Sequence, residues 1–542
     1  MTAPTLSSAA ANGMTAAFHA HHAPDRMAIL SGHGDRTFAE LNANANRLVR
    51  ALRARGVGAG DAVALVCSNR PEFAESVAAA TRMGVRLTTV NWHLTADEMG
   101  YILDNSEAKA VIGDVRFAAA LAGAVASAPS ASVRLQIGDG ELIAGFESYA
   151  EAIAIESGDD IGDPILGRTM LYTSGTTGRP KGVDRPPVGS GGPDPDGLPD
   201  AGVALAMAIG LAARQNGETD RHLCTGPLYH AAPLAFSLSG PLSAGCGVVL
   251  MDGWTATETL ELIERHQVTH THMVATMFHR LLALPDLARA TRDLSSLRFV
   301  IHGAAPCPVS VKRRLIDWLG PVVYEYYAAT EGGGTFVGSD EWIQKPGTVG
   351  RPFHPELLKI FDPDGEMLPP DVIGTVYMRA PASGRFRYFK DDAKTADSYI
   401  GDYFTLGDHG YLDSDGFLFL TGRSAELIIS GGVNIYPAEI DAALLSHPAV
   451  ADVGTIGIPN DEWGEEVMAV VQLDDRFSAS DGLAAELIAH ARQLVAAYKV
   501  PRRIVFVAEL PRHDNGKLYR ARLRAAYVVD EDPTGHRANS AG

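Results

Sequence analysis

Thr173-Ser174-Gly175-Thr176-Thr177-Gly178-Arg179-Pro180-Lys181-Gly182 follows directly on the apolar run Met170-Leu171-Tyr172. Glycines, hydroxyls and one lysine following an apolar run make a loop suited to an anion. Gly175, Gly178 and Gly182 let the backbone turn its N–H groups toward phosphate, Thr173, Ser174, Thr176 and Thr177 offer hydroxyls, and Lys181 adds charge. The Gly-x-x-x-x-Gly-Lys-Ser/Thr spacing of a Walker A loop is absent. An ordinary turn has a similar composition. Pro180-Lys181-Gly182 behind Thr177-Gly178-Arg179 is more specific than a linker needs, and blocks further along the chain argue the same way.

On the N-terminal side of this loop, Leu41 to Arg55 has helical spacing and Ala62 to Val66 is a short apolar run. Phe73 to Met83 is again helical, Arg86 to Val90 strand-like, Ala96 to Ser106 helical and Ala110 to Gly113 strand-like. This alternation predicts an α/β fold with largely parallel sheets. Residues 1–23 are rich in Ala, Ser and His and are expected to be only partly ordered, with the fold starting near Pro24. Asp184 to Asp200 is dense in Pro and Gly, an exposed insertion or a lid. Thr255 to Gln267 reads as an amphipathic helix and Leu297 to Ile301 as a strand running into His302-Gly303-Ala304-Ala305-Pro306. After Gly422 the pattern changes to a smaller unit: helix from Ala438, strands Ala449–Ile458 and Val467–Leu473, helix from Gly482, strand Arg503–Val507. The expected division is therefore 1–422 and 423–542, with a polar tail after about residue 528.

A chain of 542 residues exceeds what one core supports. Its net charge of -19 argues against a nucleic-acid partner, since that needs a basic stripe. Cys67, Cys224, Cys246 and Cys307 have neither disulfide-framework nor zinc spacing and fit a reducing, cytoplasmic setting. Cys307 reads as a small packed thiol rather than a nucleophile, because no base is placed beside it. No secretory signal and no bilayer-spanning run is present; peripheral membrane contact and oligomerisation stay open.

Four more blocks occur in order: Tyr327-Ala328-Ala329-Thr330-Glu331; Thr405-Leu406-Gly407-Asp408; Gly422-Arg423 followed by Ile429 to Pro437; and Pro511-Arg512 with Gly516-Lys517. With the opening loop, they resemble the adenylate-forming superfamily of acyl-CoA synthetases, firefly luciferase and peptide-synthetase adenylation domains, over residues 25–525. The resemblance implies a large N-terminal domain of stacked mixed sheets with helices, and a small, mobile α+β C-terminal domain that carries a catalytic lysine.

It also implies the chemistry. A carboxylate is a poor electrophile; attack on the α-phosphate of ATP with loss of pyrophosphate makes an acyl-adenylate that a thiol can open, a task of positioning and electrostatics. By resemblance, Lys517 contacts carboxylate and α-phosphate, and Glu331 beside Thr330 holds Mg2+ between itself and the phosphates. Tyr327 stacks on adenine near Ala304, with core packing the rival reading for a tyrosine of the Tyr326-Tyr327 pair; Asp408 takes the ribose hydroxyls and Arg423 binds ribose or phosphate oxygens. Ser430, Gly431 and Gly432 would border the pantetheine channel for CoA once the C-terminal domain swings about the position of Ala425. Two positions depart from the family pattern: Ala328, usually Gly, and Ala425, usually Asp or Lys.

His230, in Tyr229-His230-Ala231-Ala232-Pro233, matches a residue near the carboxylate end of the acid pocket; a structural histidine is the rival reading. Phe236, Met273, Val274, Ala304, Ala305, Ala328 and Gly332-Gly333-Gly334 would line an apolar pocket with little bulk at one end. The expectation is an ATP-, Mg2+- and CoA-dependent acyl-CoA synthetase for a hydrophobic carboxylic acid, whether fatty, aromatic or sterol-like. The chain runs about 25 residues past Lys517 without a carrier segment, as expected of a free-standing ligase. The alternatives are an enzyme loading a carrier protein and a noncatalytic nucleotide or acyl-CoA sensor, against which the retained Lys517, Glu331, Asp408 and Arg423 speak.

Overall fold

The computed structural model describes residues 5–173, 179–186, 208–210, 212–217, 219–305, 307–380, 384–423, 426–430, 433–460, 463–512 and 516–528. These form four sheets. The first runs Arg387–Tyr388, Lys181–Asp184, Arg168–Thr173, Arg86–Thr89, Ala62–Val66, Ala108–Asp114, Val133–Ile137, Glu147–Ser148. The second runs Gly332–Gly338, Val323–Ala329, Phe299–His302, His270–Met273, Arg221–Cys224, Gly247–Leu250, Met27–Ser31, Arg36–Thr37. Their central strands are parallel and buried throughout, as in Ala62–Val66 and Phe299–His302, because helices cover both faces.

The layers follow from which side chains meet. Helices Phe38–Ala54 and Pro71–Met83 share one core with Val63, Leu65 and Ile112 of the first sheet and with Ile29, Val248 and Leu250 of the second. They therefore lie between the sheets. Helices Ala96–Asn105 and Ala118–Ala126 pack on the outer face of the first sheet. Ala256–His266, Ala275–Ala283 and Val309–Leu319 cover the outer face of the second. Local signals set the helix starts: Thr37 with Glu40, and Thr95 with Glu98, each form a capping box, worth about 1 kcal/mol.

A five-stranded antiparallel sheet, Leu358–Phe361, Gly374–Arg379, Tyr403–Leu412 and Tyr399–Ile400 with Leu418–Arg423 on its third strand, is joined to the second sheet through contacts of Tyr327. The C-terminal sheet is separate: the long hairpin Val450–Asn460 and Gly464–Leu473 is flanked by Ile428–Ser430 with Val433–Ile435, and by the parallel strand Arg503–Val507. Helices Pro437–Leu445 and Asp481–Leu494 cover one core of this unit, and Arg520–Tyr527 covers another.

The expected elements are present, usually within one to three residues. The N-terminal stretch is a correction. It forms helices Leu6–Ala11 and Thr15–His22, with Ala16 and Ala17 buried and the His19 ring Nε2 2.9 Å from the Ser243 carbonyl. Small alanines allow close approach there without an apolar period. Most of the Pro/Gly-rich insertion, the hinge residue Ala425 and the tail after Val528 lie outside the described residues.

Candidate active site

The site begins at a hairpin mouth. Strands Arg168–Thr173 and Lys181–Asp184 are antiparallel and Thr173 stands opposite Lys181, so the anion loop must start and end at one place. Ser174, Gly175, Thr176, Thr177 and Gly178 themselves lie outside the described residues. The edge strand Arg387–Tyr388 pairs with Lys181–Asp184 and brings two groups that sequence reading missed. Lys181 Nζ donates to Asp391 Oδ2 at 2.7 Å, and this bond holds the Asp391 carboxyl below the usual carboxylate range. The same ammonium is 5.7 Å from the centre of the Tyr388 ring.

Tyr388 reaches the second block. Strands Val323–Ala329 and Gly332–Gly338 are paired with Ala329 opposite Gly332, which leaves Thr330 and Glu331 as a two-residue turn. Gly332 at φ 125° meets the backbone demand of that turn. Glu331 is only 6% exposed, and its Oε1 accepts from the Tyr388 hydroxyl at 2.9 Å. Burial and the Glu331 charge together push the Tyr388 phenol well above its ordinary range. No group of three or more His, Cys, Asp or Glu suited to a metal occurs among the described residues. One buried carboxylate fits Mg2+, which commonly takes one or two carboxylates and completes its shell with water and substrate phosphate.

Tyr327 and Asp408 also meet. Tyr327 Oη donates to Asp408 Oδ2 at 2.7 Å, tying the second sheet to the five-stranded one, and Asp408 stands opposite Arg423 in the strand pair. Ala304 adopts φ +66°, a left-handed conformation uncommon for a residue with a Cβ, in the turn after Phe299–His302. His230 leads into a π-helical segment, Pro233–Ser239, its ring 4.5 Å from that of Tyr229. π-Helical turns concentrate at functional sites, but no local residue pattern announces one.

The expected apolar pocket is tighter than the residue types suggest. A Cβ on Gly332 would meet the Arg185 guanidinium at 3.2 Å, and one on Gly333 would meet Met378 Sδ at 2.3 Å. The room beside these glycines is taken. Met273 and Val274 belong to the core beneath helix Ala275–Ala283, not to the cluster around Phe236.

Lys517 sits in a narrow loop closed by the Arg512–Leu518 bridge. Arg512 Nη1 donates to the Gly516 carbonyl at 2.6 Å while its Nε and Nη2 grip Asp452, both at 2.6 Å. Leu518 anchors the loop in the core with Ile456 and Ile458. The loop is docked on the large N-terminal part: a Cβ on Gly516 would stand 2.7 Å from Thr276 Oγ1 and 3.1 Å from Val274. Near the junction, the same test at Gly422 meets the Tyr436 ring at 2.7 Å. Gly431 and Gly432, between strands Ile428–Ser430 and Val433–Ile435, lie outside the described residues, and of Arg423 only the backbone is described.

Comparison with known proteins shows the family. Residues 17–386 match the AMP-binding enzyme family and residues 439–517 the AMP-binding enzyme C-terminal domain. The chain is 34% identical to a 2-succinylbenzoate–CoA ligase of Geobacillus kaustophilus, covering 92% of this chain and 95% of that one. It is 30% identical to a long-chain-fatty-acid–CoA ligase of Mycobacterium tuberculosis, covering 91% and 93%. Among solved structures, o-succinylbenzoate CoA synthetase from Bacillus subtilis with its acyl-adenylate intermediate superposes with TM-score 0.75 at 28% identity, over 94% and 97% of the two chains. ATP-bound MatB from Rhodopseudomonas palustris gives 0.80 at 28% identity, over 95% and 99%. Ligases of this kind use ATP, Mg2+ and CoA. The chain belongs to the AMP-binding enzyme family and is an AMP-forming acid–thiol ligase.

Proposed function

We propose that this protein converts a hydrophobic carboxylic acid to its acyl-CoA through an acyl-adenylate, releasing pyrophosphate and then AMP. One observation supports the reading: the Gly516-Lys517 loop of the C-terminal unit rests against Val274 and Thr276, a contact that carries the loop to the domain on which the reactants would be held.

In the adenylation step a carboxylate oxygen attacks the α-phosphorus and the bond to pyrophosphate breaks. Lys517 brings positive charge to the two anions that must meet, an effect worth about a hundredfold to a thousandfold in rate for a preorganised group. The Thr173–Lys181 mouth fixes the ends of the loop that takes the phosphates. Tyr388 fixes the Glu331 carboxylate, which would hold Mg2+; the ion supplies charge neutralisation at the phosphates. Asp408 takes ribose hydroxyls in place of the Tyr327 phenol, and Tyr327, released, lies against the base. His230 stands near the acid carboxylate. In the second step the CoA thiolate attacks the acyl carbon and AMP leaves, with Gly431 and Gly432 bordering the thiol channel.

A carrier-protein thiol is the second reading, favoured by 29% identity to a fatty acid–[acyl-carrier-protein] ligase of Streptomyces coeruleorubidus over 95% of this chain. Mass spectrometry after incubation with ATP, Mg2+ and a panel of acids, with and without CoA, separates the two. New acyl-CoA is expected; acyl-adenylate that never passes to CoA would overturn the CoA reading, and absence of both with every acid would overturn acid activation.

A further inference from the structure

The strand Val323–Ala329 sends neighbouring tyrosines to opposite faces. Tyr327 goes to Asp408; Tyr326, 4% exposed, goes the other way. Three contacts hold its ring. Its phenol is 3.0 Å from His272 Nε2, the Phe236 ring meets it edge-on at 4.9 Å, and it lies so close over Gly303 that a Cβ there would stand 2.6 Å from it. Gly303 immediately precedes Ala304, and Phe236 lies on the π-helical segment that follows His230. Behind the tyrosine are Phe299 and Ile301, both buried core. Burial lowers the His272 pKa to about 4, so the imidazole is neutral at pH 7 and suited to a hydrogen bond with a phenol.

We propose that Tyr326, locked by His272 and Phe236, is the end wall of the acid pocket and restricts this ligase to compact, ring-sized carboxylic acids. This rests on the functional reading above and narrows it: an aromatic acid fits, a long alkyl chain does not. An alkyl chain continuing past Ala304 and Ala328 would have to displace the Tyr326 ring. That movement breaks the phenol–imidazole bond and leaves a buried histidine without it, a penalty that a ring-sized acid avoids. Arg185 and Met378, which fill the space beside Gly332 and Gly333, deny the chain a detour on that side.

The test compares kcat/KM for pyrophosphate release with benzoate, phenylacetate, octanoate and dodecanoate, using wild type, Tyr326→Gly and Tyr326→Phe. Wild type should prefer the ring acids to dodecanoate by about 100-fold or more. Tyr326→Gly should shift the dodecanoate-to-ring ratio upward by at least about 10-fold, whereas Tyr326→Phe, which keeps the ring but loses the bond to His272, should shift it by less and leave the ring acids ahead. Wild type that activates dodecanoate as well as the ring acids overturns the proposal, even if the glycine variant fails to fold. So does a folded Tyr326→Gly, checked by its melting curve, with an unchanged ratio. Release with no acid on the panel strikes the reading beneath it instead.

Discussion

Glu331 and Lys517, the two charges that the proposed mechanism uses, are held in different ways. Thr330-Glu331 is a two-residue turn within the large domain's own sheet, with Glu331 6% exposed and its carboxylate held by Tyr388. Gly516-Lys517 is organised by its own small domain through Arg512 and Leu518, and rests against Val274 and Thr276 of the large one. Glu331 is present whenever the large domain is folded. Under the proposed mechanism Lys517 acts while the two surfaces touch, and its charge would be withdrawn when they part.

The largest effect that would sharpen this contrast is at the movable turn. Lys517→Ala should slow adenylation by about a hundredfold to a thousandfold while thioester formation from supplied acyl-adenylate survives. Equal loss in both half-reactions, measured by pyrophosphate release and by CoA consumption, would break it. At the fixed turn, Glu331→Gln should raise the magnesium concentration needed for half-maximal adenylation by about tenfold, with an unchanged magnesium dependence as the contrary result. Smaller again, Gly516→Ala places a methyl against Thr276 at a backbone φ of +76° and should cut adenylation by about tenfold while barely touching the thioester step. Adding Thr276→Ala should recover part of that loss; if it recovers none, strain within the loop is the cause and docking is not.

Acid should separate the two regions by the smallest margin. Burial lowers the pKa of His222, His272 and His302, all in the large domain's second sheet. Unfolded histidines take up protons below about pH 6.5 and these folded ones do not, so their stability contribution is complete above that pH. It is lost as pH falls toward about 4, the value for His272, at up to about 1.4 kcal/mol per pH unit for each histidine. Hydrogen exchange at pH 5 against pH 7.5 should show protection falling more in His270–Met273 and Val323–Ala329 than in Val450–Asn460; uniform loss would count against this.

Much of the scaffold could be read from the residues, since Ala62–Val66 carries its burial in composition, Arg503–Val507 its strand in β-branched and aromatic residues, and Thr37-Glu40 marks a helix start locally. The N-terminal helices were illegible: alanines have no apolar period, and the partner of His19 lies 224 residues away. The motif blocks announced the charged and hydroxylated groups. What they touch was hidden, because Tyr388 and Glu331 are 57 residues apart, Lys181 and Asp391 210, and His272 and Tyr326 54. Pairings at such range are decided by sheet order. The Gly332–Gly334 run misled for the same reason: glycines advertise space, and only the fold shows that Arg185 and Met378 occupy it.

The Tyr327–Asp408 bond spans two sheets and, on the ribose role proposed for Asp408, bears on turnover. A nucleotide that engages Asp408 through its ribose exchanges one satisfied contact for another, so the net gain on entry is modest. On that reading the phenol closes again over the carboxylate when AMP departs, and the site heals itself. Such an arrangement favours rapid clearance of spent nucleotide over tight retention, which suits an enzyme that must empty before each new round.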